Sequence, residues 1–136
     1  MIFGTHFEKK IGALYKKYKV RYIKLEGNSD KYGVWPDFVV HPLFNRPFYL
    51  EAKTVQSGDI KPKMNSLLGT GQRVDFPQLA SNNNILLYVL VWYIAEKKYV
   101  LYELTHGYLS TYNEREGLEK VLLPLSGVND ENIKVK

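Results

Sequence analysis

An aspartate, a glutamate and a lysine lie at spacings that could build a hydrolytic site: Asp37, Glu51 and Lys53. The glutamate and the lysine are two residues apart in a segment of strand-forming composition, so their side chains point to the same face. The aspartate begins the preceding predicted strand. In a hairpin that turns through residues 42–47, the beginning of one strand lies beside the end of its partner. We therefore expect the three side chains to lie close together.

Such a set of residues is suited to cutting a phosphodiester bond. Two carboxylates at close range repel each other, and a divalent cation is the usual way in which proteins hold them together. A lysine beside them can orient or deprotonate a water, or neutralise charge that develops on a phosphate. Each half of the pattern also has a purely structural explanation, since Pro-Asp often starts a strand and Glu-x-Lys is often a surface ion pair.

The elements that must position these residues are predicted from apolar periodicity and from capping signals. Three capping boxes mark helix starts, at Thr5–Glu8, Asp75–Gln78 and Thr111–Glu114. The predicted order is a helix at 6–18, strands at 20–25, 35–41 and 48–54, a long loop at 55–71, a helix from Asp75, strands at 85–94 and 99–104, and a helix to about Leu122. The almost wholly apolar segment 85–94 indicates a strand buried on both faces of a mixed sheet with helices packed on it.

The motifs and their order resemble the PD-(D/E)xK nuclease superfamily. Pro36-Asp37 fits the PD element, Glu51-Ala52-Lys53 fits the ExK element, and the order of elements fits the family core over about residues 5–104. The resemblance implies an α/β fold with a restriction-endonuclease-like core, in which a three-stranded meander plus further strands is flanked by helices, as one domain over residues 1–136. It also implies Mg²⁺-dependent cleavage of DNA, with Mn²⁺ substituting. Asp37 and Glu51 would be the metal ligands and Lys53 would aid the attacking water.

Within the superfamily the chain is most similar to small Holliday-junction resolvases. These carry a glutamate on the first helix, a serine in the turn before the PD strand and a glutamine on the helix after ExK. Glu8 fits the first position, as a third metal ligand or only as the residue of the capping box, and Ser29 fits the second. For the glutamine, Gln72 suits the family spacing slightly better, whereas Gln78 is the better placed on a predicted helix.

Charge favours a nucleic-acid partner. The chain has a net charge of +5, and residues 1–31 account for all of it, with eight basic residues against three acidic ones. A basic surface of this kind favours a polyanion such as DNA, although a solvated helix face would give the same pattern. Absence of cysteine excludes a thiolate nucleophile and a Cys-ligated zinc. The predicted DNA contacts are Lys9, Lys16, Arg21, Ser29, Lys61, Lys63 and Arg73.

Three functions remain open from the sequence. The first is a structure-selective endonuclease acting on Holliday junctions or branched DNA. The second is a restriction or homing endonuclease of the same fold, and the third is a non-catalytic nucleic-acid-binding module. One active site per domain favours a homodimer if two strands are to be cut. No apolar segment reaches membrane-spanning length and no signal-peptide pattern is visible, so we expect a cytoplasmic protein with no membrane partner.

Overall fold

The computed structural model of the chain describes residues 3–25, 28–29, 33–43, 45–57 and 64–128. The helices are α1 (Phe3–Lys17), α2 (Met64–Leu67), α3 (Thr70–Asn83) and α4 (Leu118–Leu125), with a 3₁₀ turn at Glu114–Glu116. The strands are β1 (Arg21–Lys24), β2 (Asn28–Ser29), β3 (Gly33–Val34), β4 (Phe38–His41), β5 (Phe48–Val55), β6 (Leu86–Tyr93), β7 (Lys98–Glu103) and β8 (Gly107–Asn113). No helix within the described residues is long and apolar enough to cross a membrane.

A six-stranded mixed sheet organises the structure, in the order β1-β4-β5-β6-β7-β8. Strands β5 and β6 are parallel and the other neighbours are antiparallel. A parallel pair needs a long crossover connection, and here α3 lies in that connection. Strands β2 and β3 form a separate two-stranded hairpin, which the sequence did not predict. The sheet therefore brings the end of β5 and the beginning of α3 close together.

Each face of the sheet carries its own core. On one face α1 and α4 pack on side chains that include Phe38, Leu50 and Leu90, and on the other α3 packs on Val89 and Val91. The central strand β6 is buried on both faces, as its apolar sequence predicts. Strand β5 lies between β4 and β6, so even the side chains that alternate to its α3 face are enclosed. This enclosure surrounds the carboxylate of the predicted ExK motif.

Helix α1 buries four side chains at helical spacing, Phe7, Ile11, Leu14 and Tyr15. The predicted N-cap at Thr5 is wrong, because the helix begins two residues earlier, at Phe3. The Phe3 ring packs edge-on against Trp92 of β6, with centroids 6.0 Å apart. An apolar contact with a distant strand therefore extends the first turn beyond the point that the local capping signal marks.

The predicted helix start at Thr111 is also wrong. Those residues belong to β8, which pairs antiparallel with β7 and places Tyr99 opposite Tyr112. The capping interaction lies further along the chain, where Glu116 accepts the Asn113 N–H at 2.8 Å and the 3₁₀ turn leads into α4. The backbone groups along the outer edge of β7 need hydrogen-bond partners. Strand β8, whose tyrosines and threonine favour extended backbone, provides them.

Helix α3 begins at residue 70 rather than at the predicted Asp75, and α2 occupies part of the predicted loop. The side chain of Gln72 reaches back to accept the Gly69 N–H at 3.0 Å, which starts the helix. Asp75 is not a cap: it accepts the Val34 N–H at 2.7 Å and holds strand β3 against the helix. Gly71 permits this close approach, because a Cβ there would lie 2.9 Å from a methyl carbon of Val34.

Two leucine truncations test this packing. Leu122 of α4 is fully buried in the core beneath α1, whereas Leu43 is 83% exposed. Leu122→Ala should lower the free energy of unfolding by about 3 kcal/mol, because it removes apolar contacts and leaves a cavity. Leu43→Ala should change it by less than about 0.5 kcal/mol. Urea unfolding monitored by circular dichroism measures both. Equal losses in the two variants would contradict the placement of α4.

Candidate active site

Asp37 and Glu51 are held together by reciprocal hydrogen bonds to the backbone. The β4–β5 register pairs Phe38 with Leu50, which places Asp37 opposite Glu51. The Asp37 N–H donates to Glu51 Oε1 at 3.2 Å, and the Ala52 N–H donates to Asp37 Oδ2 at 2.8 Å. The predicted proximity of the two carboxylates is therefore confirmed, and two strands fix their orientation.

Gln72 links this carboxylate pair to the lysine. Its Nε2 donates to Glu51 Oε2 at 3.0 Å, and its Oε1 accepts from Lys53 Nζ at 2.6 Å. Lys53 Nζ also lies 3.3 Å from Glu51 Oε2. Of the two candidate glutamines, Gln72 thus contacts the carboxylate, whereas Gln78 is exposed further along α3. The Gly69-Thr-Gly-Gln72 stretch was a usable signal, since glutamine at the third helical position is typical of a capping box.

Burial makes Glu51 an unusual carboxyl group. The pKa of this carboxyl group is raised to about 8, chiefly because the residue is only 4% exposed. The neighbouring Asp37 charge contributes to the rise, while the Lys53 charge and the hydrogen bonds from Lys53 and Gln72 act against it. A carboxyl group with this pKa is mostly protonated at neutral pH, and any cation that binds it has to displace that proton.

Asp37 is shifted in the same direction. Burial raises its pKa, and the Ala52 N–H acts against this by stabilising the charged form. The charge of Glu8 raises the pKa of Asp37, whereas the charges of Lys24 and Lys53 lower it. The pKa of Asp37 thus depends on charged groups that belong to α1, β1 and β5.

Glu8 lies on α1 and forms an ion pair with Lys24 at the end of β1. Because α1 begins at Phe3, Glu8 stands beyond the first turn and the capping-box explanation for it is wrong. Its role as a third metal ligand stays a prediction. Lys24 was not singled out from the sequence. The signal that could have found it is the β1–β4 pairing, which sets it opposite Phe38, next to Asp37.

The donor set fits a divalent cation. Asp37 and Glu51 offer carboxylate oxygens, which Mg²⁺ and Mn²⁺ prefer, and each oxygen that accepts one hydrogen bond keeps a second lone pair. In the described part of the chain no three His, Cys, Asp or Glu side chains form a group that could hold a metal ion. The protein would therefore supply two carboxylates while water fills the remaining positions, which is usual for Mg²⁺.

The predicted DNA contacts are partly placed. Lys9, Lys16 and Arg21 are exposed on α1 and β1. Arg73 is exposed at the beginning of α3, where its Nε donates to the Leu68 carbonyl at 3.2 Å. The backbone of Ser29 lies in the small hairpin. Lys61 and Lys63 lie outside the described residues, and contact of any of these residues with DNA stays a prediction.

A cleft of about 830 Å³ opens at the beginnings of β5 and β6. Its lining includes Arg46, Phe48, Arg73 and Leu86, but not the carboxylate pair. Arg73 thus lines the cleft while the adjacent Gln72 contacts Glu51. The beginning of α3 therefore contributes Arg73 to the cleft and Gln72 to the candidate site.

Comparison with protein-family models and with the sequences of curated proteins gives no match. Among solved structures, the chain is similar to Hjc of Archaeoglobus fulgidus, a Holliday junction resolvase from an archaeal hyperthermophile. The TM-score is 0.55, and the alignment covers 82% of this chain and 89% of that one. The chain shares the fold of this resolvase. At 14% sequence identity the likeness establishes the fold, and it confirms the predicted α/β class with a mixed sheet flanked by helices.

The raised pKa of Glu51 predicts a pH dependence of stability. The native carboxyl group binds its proton more tightly than the unfolded one, whose pKa is 4.5. Its contribution is complete below that value and is lost as the pH rises through about 8. Without metal, the free energy of unfolding should therefore fall between pH 5 and pH 8.5. Glu51→Gln should remove most of this fall. At pH 8.5 the free energy of unfolding of the variant should exceed that of the native protein by about 2 kcal/mol.

Urea unfolding in EDTA at several pH values measures this difference. The native chain and the Gln variant should be similar at pH 5 and diverge above pH 7. Parallel profiles for the two proteins across the whole range would contradict the burial of an ionisable Glu51.

Proposed function

We propose that this chain is a metal-dependent endonuclease that hydrolyses phosphodiester bonds in DNA and selects branched substrates, the four-way Holliday junction first. The observation that carries the proposal is the carboxylate pair of Asp37 and Glu51, linked to Lys53 through Gln72. The fold shared with a Holliday junction resolvase supports the same reading. Fold alone does not specify an activity, so the proposed activity depends on the residues of the site.

Asp37 and Glu51 would hold Mg²⁺, or Mn²⁺ in its place. When bound, the ion supplies Lewis-acid activation of the attacking water and stabilises charge on the phosphate. The two hydrogen bonds that these carboxylates accept from backbone N–H groups fix both side chains before any ligand binds. Such preorganisation keeps the cost of binding low.

Lys53 is the residue that acts on the reacting groups. Its ammonium has three donors. Gln72 Oε1 takes one, and Glu51 Oε2 lies close enough to take a second. The third donor would bind the attacking water or a non-bridging phosphate oxygen. Gln72 positions this ammonium and carries no proton in the reaction.

The basic first helix would bring the DNA to this site. The predicted phosphate contacts are Lys9, Lys16, Arg21, Ser29, Lys61, Lys63 and Arg73. These contacts fix position and do not read the base sequence. A homodimer would supply two sites for the two strands of a junction, and the expected location is the cytoplasm.

Cleavage of branched DNA tests the chemistry. Asp37→Asn and Lys53→Met should each reduce Mg²⁺-dependent cleavage by at least about 100-fold, because the first removes a carboxylate that would hold the metal and the second removes the positive charge at the phosphate. Lys120→Met, an exposed lysine of α4, is the matched control and should cleave normally. EDTA should abolish cleavage. Undiminished activity in either site variant, or in EDTA, would contradict the proposal.

A panel of linear, flapped and four-way DNAs tests the choice of substrate. The expected result is cleavage of the four-way junction in Mg²⁺ and binding without cleavage in Ca²⁺. Discrete fragments from linear duplex would favour a restriction or homing endonuclease. Salt-sensitive binding without cleavage, which persists or tightens when Asp37 is replaced, would instead indicate a binding module. Gel electrophoresis and fluorescence anisotropy on the same DNAs separate these outcomes.

A further inference from the structure

Helix α3 makes two contacts with other parts of the chain, from side chains that lie about one turn apart. Gln72 donates to Glu51 Oε2 at 3.0 Å, and Asp75 accepts the Val34 N–H at 2.7 Å. Side chains at this spacing lie on one face of a helix, so both reach out from the same side of α3. The first contact is to strand β5, and the second is to strand β3, which comes just before Asp37.

The Val34–Asp75 hydrogen bond closes a ring of contacts around the candidate site. Val34 precedes Asp37 by three residues, as Gln72 precedes Asp75 by three residues. The Glu51 carboxylate joins these two short segments, because its Oε1 accepts the Asp37 N–H and its Oε2 accepts from Gln72. Opening of the Val34–Asp75 bond therefore leaves both segments with one support fewer.

Strand β3 depends on α3 for its place. Its residues Gly33 and Val34 pair with Asn28 and Ser29 in a hairpin that is separate from the six-stranded sheet. A two-stranded hairpin is at best marginally stable by itself, so it has to pack against something else. The packing is tight at Gly71, where a Cβ would lie 2.9 Å from a methyl carbon of Val34. The Asp75 carboxylate adds a directed hydrogen bond to this apolar contact.

We propose that Asp75 is a positioning residue: by holding Val34 it keeps the first turn of α3, which carries Gln72, in place at the candidate site. The inference deepens the proposed function, and its consequence for cleavage rests on that function. Gln72 Oε1 accepts from the Gly69 N–H and from Lys53 Nζ, so a shift of this turn disturbs the lysine as well. Asp75 acts through Gln72 and takes no part in the reaction itself.

Amide hydrogen exchange, followed by NMR in EDTA and without DNA, tests the positioning directly. Asp75→Ala should speed exchange of the Gln72 side-chain amide and of the Gly69 N–H by about tenfold, because the turn that holds them opens more often. Asp75→Asn keeps an oxygen that can accept from Val34, so its rates should stay within about twofold of the native ones. Asn82→Ala, an exposed residue near the end of α3, is the control and should leave both rates unchanged.

Two results would overturn the inference. The first is native exchange at Gly69 and Gln72 in Asp75→Ala. The second is an equal acceleration throughout β5 and β6, since that would indicate a general loss of stability in place of a local effect on α3.

A double-mutant cycle connects Asp75 to cleavage of a four-way junction in Mg²⁺. Asp75→Ala should lower kcat about tenfold while KM, and binding of the junction in Ca²⁺, change by less than about twofold. Asp75→Asn should restore kcat. Added to Gln72→Ala, the Asp75→Ala change should cost less than about twofold more, because the residue through which it acts is already missing. Losses that multiply in full would contradict an action through Gln72.

The two experiments separate this inference from the proposed function. If the native chain cleaves no DNA, the proposed function fails, and the exchange rates still decide whether Asp75 positions Gln72. If the native chain cleaves the junction and Asp75→Ala equals it in kcat and in exchange, the inference fails and the proposed function stands.

Discussion

The candidate site depends on holding two carboxyl groups close together at the boundary of a buried strand. Glu51 accepts the Asp37 N–H and Asp37 accepts the Ala52 N–H, so each carboxylate is tied to the backbone of the segment that carries the other. Burial raises the pKa of both carboxyl groups, and a neighbouring charge adds to it, that of Asp37 at Glu51 and that of Glu8 at Asp37. Lysines and an amide around them offset part of that cost. A site that is strained without metal in this way gains the most from binding one.

The order of the strands and the pairing of β4 with β5 could be predicted because alternation and turn residues report directly on a sheet. The three wrong helix starts all came from capping signals, whereas the β2–β3 hairpin and α2 were not predicted at all. At Thr5 an apolar contact between Phe3 and Trp92 extends the helix. At Thr111 the segment pairs with the edge of β7 and forms a strand. Asp75 accepts a hydrogen bond from strand β3 instead of capping its own helix. A capping box is a local pattern worth about 1 kcal/mol, so a long-range partner readily outweighs it.

The site was predictable to the extent that one hairpin defines it. Asp37, Glu51 and Lys53 follow from strand alternation and from a single turn. Gln72 and Lys24 come from the next helix and the preceding strand, and their distance from the site depends on where α3 begins and on how β1 pairs. The capping pattern of Gly69-Thr-Gly-Gln72 indicates where α3 can begin, but the pairing of β1 and the path of the β5–β6 crossover are decided by packing.

One amide side chain both starts a helix and holds the site. Gln72 accepts the Gly69 N–H that begins α3 and, through the same oxygen, binds Lys53. Fraying of that first turn therefore releases the lysine at the same moment. Helix ends open far more readily than whole domains unfold, so heating should break the contact between Gln72 and Lys53 before the sheet unfolds. The temperature above which Gln72 no longer holds Lys53 is then set by one turn of helix, and a stronger cap at residue 69 would raise that temperature without changing the core.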